Sequence, residues 1–504
     1  MTAAAAHRPA APSTLAALRD PRLLTREALA GLVVAVALIP EAIAFSLIAG
    51  VDPRVGLFSA FVMATSIAVL GGRPAMISAA TGAVALVIAP VMREHGLDYL
   101  LATVILGGVI QIVLAALGVG RLMRFIPRSV MTGFVNALAV LVFATQIPHL
   151  IGVPWLVYPM LVVGIGIIWL FPRLTGAVPA PLVAIVVLTA AAILVPLAVP
   201  TVGDEGALPE SLPVLALPSV PLTLETLGII GPYALGMAAV GLMESLLTAT
   251  LVDEITETGS SKTRESFGQG AANVLSGLFG GMGGCAMIGQ TMVNVKVSGA
   301  RTRVSTFLAG VFLLVLVLAL GDVVALVPMV ALVAVMIMVS VATFDWDSVR
   351  PSTLRRTPLA ETVVMLLTVA AVLITHNLAI GVAVGVLAAM IAFTRQVSRF
   401  LTVTRLRSVD TRGAVVDYRV DGQLFFASSN DLTTRFDVAE DPERVRISFS
   451  GAQIWDASSV TAIGAVLTAY RRHGAHVELS GLRSTSTSVQ RALDALAAGA
   501  RMEP

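Results

Sequence analysis

Two carboxyl groups stand out because of where they lie. Glu41 sits in the middle of "VALIPEAIAFSLIAG" and Glu244 in "AAVGLMESLLTATLVDE", both strongly apolar runs. An ionisable side chain inside a membrane-spanning run is costly, and by default it marks a pathway or a coupling site. Low dielectric favours the uncharged form of a carboxyl, so such a group can take up and release protons near neutral pH. Pro40 weakens the helix just before Glu41 and frees backbone groups there. Thr248 follows Glu244 by one turn, on the same face. Each acid also has a plainer reading, as a protonated or hydrogen-bonded packing group with no role in a pathway.

Two short apolar stretches give the second signal. "GGRPAMISAATGAVALVIAPV" begins at Gly71 and "GGMGGCAMIGQTMVNVKVSG" at Gly280. Each opens with Gly, Pro, Ser and Ala too irregular for helix, and each becomes helical partway. Interrupted spans at matching places in two halves point to a binding site. A half-helix offers free N–H groups and the positive end of its dipole at its N-terminus. Two such ends facing each other would hold an anion without a fixed cation. The candidate contacts are Ala80 and Thr81 on the first, and Gly289, Gln290 and Thr291 on the second. The competing reading is that small residues merely let helices pack closely.

Other chemistry is thin. Asn136, Asn273 and Asn294 read as interhelical hydrogen-bonding groups, or as lining of the same pathway. Cys285, the only cysteine, reads as a small packing residue and leaves no internal disulfide. The six histidines have no metal-ligand spacing. There is no nucleotide-binding loop and no nucleophile–base pair, so the sequence implies neither an enzyme nor a cofactor. Net charge is +2, which gives no field for nucleic acid.

The elements that must position these residues are membrane helices. Of the 504 residues, 57% are hydrophobic and 13% charged, about half the charge of a soluble domain, and mean hydropathy is +0.90. A spanning helix needs about 20 apolar residues. About fourteen stretches follow one another: 27–49, 55–71, 76–92, 98–118, 124–148, 154–171, 178–199, 224–252, 264–282, 286–298, 303–319, 323–344, 358–375 and 377–394. Arg121, Arg124 and Arg128, then Lys296, Arg301 and Arg303, then Arg350, Arg355 and Arg356, and finally Arg395, Arg399, Arg405 and Arg407 mark the cytoplasmic side. Both termini fall on that side. The loop with Asp204, Glu205 and Glu210 belongs outside and divides the chain into halves. The N-terminus has no cleavable signal pattern.

The expected organisation is a cytoplasmic segment over 1–22 and a membrane domain over 23–396, in repeats of about 23–200 and 223–396. A linker over 397–409 and a soluble α/β domain over 410–504 follow. In that last part "GAVVDYRVDGQLFFASS", "RVRISFS" and "HVELSGL" read as strands. "SSVTAIGAVLTAYRRHG" and "TSTSVQRALDALAAG" read as helices, the first with serine at its start and glycine past its end.

The same residues carry a family resemblance. "IPEAIAFSLIAGVDPRVGLFSAF" (39–61) resembles the signature of the SulP anion transporters, the bacterial members of solute carrier family twenty-six. The stretch 241–282, "TMVNVKVSGARTR" and "GFVNALAVLV" agree with it, and the tail with "IWDASSV" (454–460) resembles a STAS domain. The resemblance runs from about residue 20 to the end. It implies fourteen spans in two inverted seven-span repeats, with a core domain (spans one to four and eight to eleven) moving against a gate domain. It implies a dimer, and an anion held between spans three and ten and flanked by spans one and eight. Phe45 then joins Glu41 and Glu244 as a candidate contact. Sulfate, bicarbonate, chloride and dicarboxylates are the substrates such proteins carry.

Two departures matter. Many relatives have Gln where this chain has Glu41, and Arg where it has Gln290. A fixed cation is lost and a protonatable group gained. Ionised Glu41 would repel an anion, so binding should favour its protonated form, which is thermodynamic coupling. The leading expectation is proton-coupled symport, with Glu41 and Glu244 as proton sites and dicarboxylates among the substrates. The alternatives are an exchanger or uniporter for sulfate, bicarbonate or chloride, or a membrane-tethered STAS scaffold that binds a cytoplasmic regulator. Sodium coupling is disfavoured because Ala286 and Ile288 supply no side-chain oxygen. In the STAS domain, Ser458 reads either as a phosphorylation site or as the cap of the following helix.

Overall fold

The computed structural model describes residues 14–501 apart from 119, 121–126, 175–179, 195–198, 205–207, 210, 216, 376, 399, 411–412 and 485. Arg121, Arg124, Glu205, Glu210, Arg399 and most of the segment 1–22 therefore lie outside the described residues. The chain divides into two compact units, residues 1–386 and 387–504.

The first unit is helical. Apart from the six-residue helices Thr14–Arg19 and Pro351–Arg356, its helices in chain order are α1 (Pro21–Ala49), α2 (Pro53–Leu70), α3 (Gly82–His95), α4 (Leu97–Ala116), α5 (Arg128–Ala144), α6 (Val157–Leu170) and α7 (Ala180–Leu194). After the long loop come α8 (Leu224–Thr256), α9 (Lys262–Leu278), α10 (Ile288–Met292), α11 (Arg303–Ala325), α12 (Met329–Thr343), α13 (Leu359–Thr375) and α14 (Leu378–Ser398), whose residues from 387 on belong to the second unit. By length and composition alone, seven helices among the described residues are long and apolar enough to cross a membrane, and four more are shorter apolar helices.

Packing sorts these helices into two sets. α11 lies on α1 and α2, α9 on α2 and α4, and α8 on α3 and α4. Separately, α13 lies on α5, and α12 on α5 and α6. The first set contains α1–α4 and α8–α11, the division expected of a core and a gate domain.

The two irregular stretches are not simply coil. Strand β1 (Ser78–Ala79) pairs antiparallel with β2 (Cys285–Ala286), Ser78 opposite Ala286 and Ala79 opposite Cys285. The amide of Met287 adds a hydrogen bond to the Ile77 carbonyl at 2.9 Å. Extended backbone inside a membrane must find internal partners, because lipid offers none. Here α9 supplies them. Glu265, Gln269, Asn273 and Ser276 recur every three or four residues along one face, and all are fully buried. Glu265 accepts from the amides of Gly72 and Arg73 at 2.7 and 2.8 Å. Gln269 donates to Ser78 Oγ at 2.7 Å. Asn273 bonds both the amide and the carbonyl of Gly284, at 2.8 and 3.1 Å. Ser276 Oγ accepts from the Gly283 amide at 3.2 Å.

Several basic residues in the short loops close helix ends. Arg264 and Arg303 donate to the carbonyls of Val69, Leu70, Ala68 and Gly71, the C-terminus of α2, where cations meet the negative end of the dipole. Buried Glu27 does the converse. It accepts from the amides of Arg301, Thr302 and Ser305 at the start of α11.

The second unit contains a four-stranded sheet in the order β3 (Thr402–Asp410), β4 (Gly413–Leu424), β5 (Arg444–Ile454) and β6 (His476–Ser480). The first pair is antiparallel and the other two are parallel. Helices α15 (Phe426–Thr433), α16 (Ala457–Arg472) and α17 (Thr487–Arg501) complete it. Three sequence expectations change here. The stretch 397–409, read as a linker, holds most of β3, whose charged and apolar residues alternate too unevenly to signal a strand. The strand read through Ser429 stops at Leu424, and "FASS" is helical. The cap of α16 is Asp456, which accepts from the Ser459 amide at 2.9 Å; Ser458 is exposed in the first turn.

One buried carboxylate organises this domain. Asp441 accepts from the phenols of Tyr418 and Tyr470 and pairs with Arg405. Burial and the Asp441 charge push both phenols up from the usual tyrosine range, so they stay donors. Asp441→Ala should strand the two buried phenol donors, at about 1–3 kcal/mol each, while Arg405 keeps its bond to Asp437. Hydrogen exchange over Arg444–Ile454 in the full chain checks this; unchanged protection there would refute it.

Candidate functional site

The first unit encloses a cavity of about 410 Å³ that gathers most of the expected residues. Glu41 and Phe45 face it from α1, and Glu244 from α8. Thr81 and Gly82 reach it at the start of α3, and Gly289 and Gln290 at the start of α10. Two expected contacts are not on this wall. Ala80 is buried beside β1. Thr291 turns back to the irregular stretch, where its hydroxyl accepts from the Ile77 amide at 3.0 Å. In each case a neighbour in sequence, Thr81 after Ala80 and Gln290 before Thr291, faces the cavity, which a sequence position cannot distinguish.

The helix starts differ in their caps. Thr81 caps α3 weakly, accepting from the Val84 amide at 3.5 Å. α10 has no side-chain cap, so the amides of Ile288, Gly289 and Gln290 open it bare; the first N–H groups of a helix have no partner within it. The helix continues as a π-helical turn over Val293–Val297. A Cβ on Gly289 would meet nothing within 4 Å, so this backbone is open to an incoming group.

The two acids have separate partners. Gln290 Nε2 donates to Glu41 Oε1 at 2.8 Å. Cys285 Sγ donates to Glu244 Oε2 at 2.9 Å and lies 3.1 Å from Thr81 Oγ1. Cys285 is thus fully buried, as expected of a packing residue, but it also links the α3 cap to Glu244. Thr248 does not assist the acid. Its hydroxyl donates to the Glu244 backbone carbonyl at 2.8 Å. Among the described residues, the cavity wall holds no Lys, Arg or His.

The three asparagines are structural. Asn136 bonds Ser348 and the Asp345 amide, Asn294 bonds Ala75 and Ser305, and Asn273 holds Gly284. The sequence reading missed the opposite wall. Phe134, Leu138 and Val142 of α5 and Val339, Ser340 and Thr343 of α12 close the cavity. These side chains are apolar or carry only a hydroxyl, and read like any packed interior; Asn136 of α5, which the sequence flags, is not on this wall. Among the described residues, no group of three or more His, Cys, Asp or Glu could hold a metal.

Comparison with known proteins gives one consistent result. The family model described as the sulfate permease family matches residues 24–163 and 160–368, and the STAS domain model matches 407–497. YbaR of Bacillus subtilis (strain 168), a sulfate transporter by provisional name, is 49% identical over 93% of this chain and 96% of its own. The bicarbonate transporter BicA of Picosynechococcus sp. is 28% identical over 79% of this chain and 78% of its own. The solved transmembrane domain of a cyanobacterial BicA matches with a TM-score of 0.64 at 26% identity, covering 73% of this chain and 98% of that one. The structure of SLC26A9 matches at 0.78 and 16% identity, covering 97% and 89%. That last likeness concerns the fold.

Two glycines separate scaffold from site. A Cβ on Gly284 would overlap the Ala79 carbonyl, a backbone atom that cannot turn away. Gly284→Ala should force the β1–β2 crossing apart and cost about 3 kcal/mol. Gly289→Ala should leave stability unchanged while its methyl obstructs the cavity and weakens anion binding. Thermal melts of both variants in detergent check this; equal melts would refute it.

Proposed function

The chain belongs to the sulfate permease family of anion transporters, and on that premise we propose that it is a secondary active transporter coupling a small anion to protons. It works by alternating access, the core helices carrying the site past the gate helices. The observation that carries this reading is one cavity with two carboxyl groups, two half-helix N-termini and no cationic side chain on its described wall. The bare amides of α10 and the start of α3 are the anion's partners. Glu41 and Glu244 are the proton sites, since an ionised carboxyl beside those amides opposes an anion. Phe45 and Thr81 complete the contacts.

The names of the relatives point to sulfate and bicarbonate as substrates to test, and dicarboxylates remain in the proposal because the cavity exceeds either ion in size. The chain acts in the inner membrane with both termini cytoplasmic, supported by the arginine-rich loops on one side. A homodimer, and a cytoplasmic regulator at the STAS domain, complete the proposal. Ser458, exposed at the start of α16, is the candidate for phosphorylation.

The sign of the coupling is fixed. Protonated acids admit the anion, so binding strengthens as pH falls and weakens as the acids ionise. An inward proton gradient should therefore drive uptake of labelled succinate, sulfate or bicarbonate into proteoliposomes. Glu41→Gln should still bind the anion but lose the gradient's effect. Uptake that ignores the gradient would make the protein an exchanger or uniporter. No uptake of any anion, with the STAS domain still binding a partner, would favour the scaffold.

A further inference from the structure

Three buried side-chain amide oxygens, those of Gln269, Asn294 and Gln290, have no hydrogen-bond partner among the described residues, and of the three residues only Gln290 lines the cavity. It is 5% exposed, stands on the cavity wall, and spends its Nε2 on Glu41 Oε1 at 2.8 Å. Its Oε1 is buried with no hydrogen-bond partner. A buried acceptor left alone costs about 1–3 kcal/mol, and such atoms usually signal a function or a second arrangement. The arrangement present suits only one state of Glu41. An ionised carboxylate accepts but cannot donate, so it takes the amide N–H and leaves the carbonyl stranded.

A proton on Glu41 changes that balance. The carboxylic acid gains an O–H that can donate to Oε1 once the terminal amide turns by half a rotation. The proton comes from hydronium, whose O–H bond breaks as the one on Glu41 forms, leaving water; the turn of the amide itself breaks no covalent bond. The turn satisfies the stranded oxygen, releases the N–H donor from Glu41 and turns the amide nitrogen to the other side. Gln290 is the third residue of α10, so this donor joins the bare amides of Ile288 and Gly289.

We propose that Gln290 is the switch that converts a proton on Glu41 into an anion-binding donor. The inference rests on the proton-coupled reading above and names its moving part. The groups facing the pair from the other elements are few. α3 contributes Thr81, α12 contributes Ser340 and Thr343, and the α5 wall is apolar. The other titratable group on the described wall is Glu244, engaged by Cys285 from behind. Glu244 can add to the pH dependence, but it makes no hydrogen bond to Gln290.

The switch can be read without any flux. Infrared difference spectra of the full-length protein across pH, without substrate, should show the Gln290 side-chain amide band moving as a carboxyl titrates. The band is identified by its loss in Gln290→Met, and the movement should vanish in Glu41→Gln. Binding of sulfate and of bicarbonate is then measured across pH. Gln290→Met should weaken binding at low pH by about 10- to 100-fold, the loss of one hydrogen bond to a charged group, with little change at high pH. Gln290→Arg, a fixed cationic donor, should flatten the pH dependence. An amide band that stays still while Glu41 titrates overturns the switch, as does a wild-type pH profile in Gln290→Arg. A moving band together with uptake indifferent to the gradient sinks the coupled reading while keeping the switch.

Discussion

The membrane unit depends on one arrangement: two stretches of extended backbone crossing in the middle of a helical bundle. Backbone that leaves the helical pattern there must have every amide and carbonyl satisfied from within. The β1–β2 pairing satisfies some of them, and Glu265, Asn273 and Ser276 of α9 satisfy others. Gly284 allows the two backbones to approach as closely as the pairing requires. Once the crossing is fixed, the starts of α3 and α10 are fixed with it. Everything chemical in the cavity follows from where those two helices begin.

This explains why α9 is the least apolar of the core helices without being a pathway. Its Glu265, Asn273 and Ser276 are bonded to backbone groups of the crossing, and Gln269 to the side chains of Ser78 and Glu265. A polar stripe inside a membrane protein is usually read as a route for substrate. The cavity wall is mostly apolar instead, and its polar groups are Glu41, Glu244, Thr81, Gln290, Ser340, Thr343 and the helix starts. The side chains with most capacity to bind are occupied in holding the scaffold. The donors left available to a substrate include backbone amides, which cannot rotate away.

The sequence made much of this legible, for physical reasons. A carboxyl within an apolar run is conspicuous because it is expensive, so Glu41 and Glu244 were visible. Interrupted spans at Gly71 and Gly280 were visible because glycine and proline punctuate any helix. The pairing of β1 with β2 was not, because two-residue strands carry no periodicity. Nor could spacing alone say that Thr81 faces the cavity while Ala80 does not, since a half-helix whose first residue is uncertain has an uncertain face. The α5 and α12 wall was hidden because a cavity lined by Leu, Val and Phe reads like any packed interior. In the second unit Asp456, not Ser458, caps α16; both are capping types two residues apart, and only the backbone angle separates them.

The electrostatics of the cavity bear on why a fixed cation is absent. A helix start presents at most about half a positive charge. Two starts facing one cavity therefore offer about one charge, enough to neutralise a single negative group. An ionised carboxyl on the wall and a bound anion both seek that same charge, and among the described residues the cavity wall has no Arg or Lys with which to serve both. On the proposed reading, the two compete, and competition between a proton-bearing group and an anion for one pool of positive charge is itself the coupling. A permanent guanidinium at position 290 would enlarge the pool and let both be satisfied together. The glutamine found there keeps the pool small, so that anion and ionised acid exclude one another.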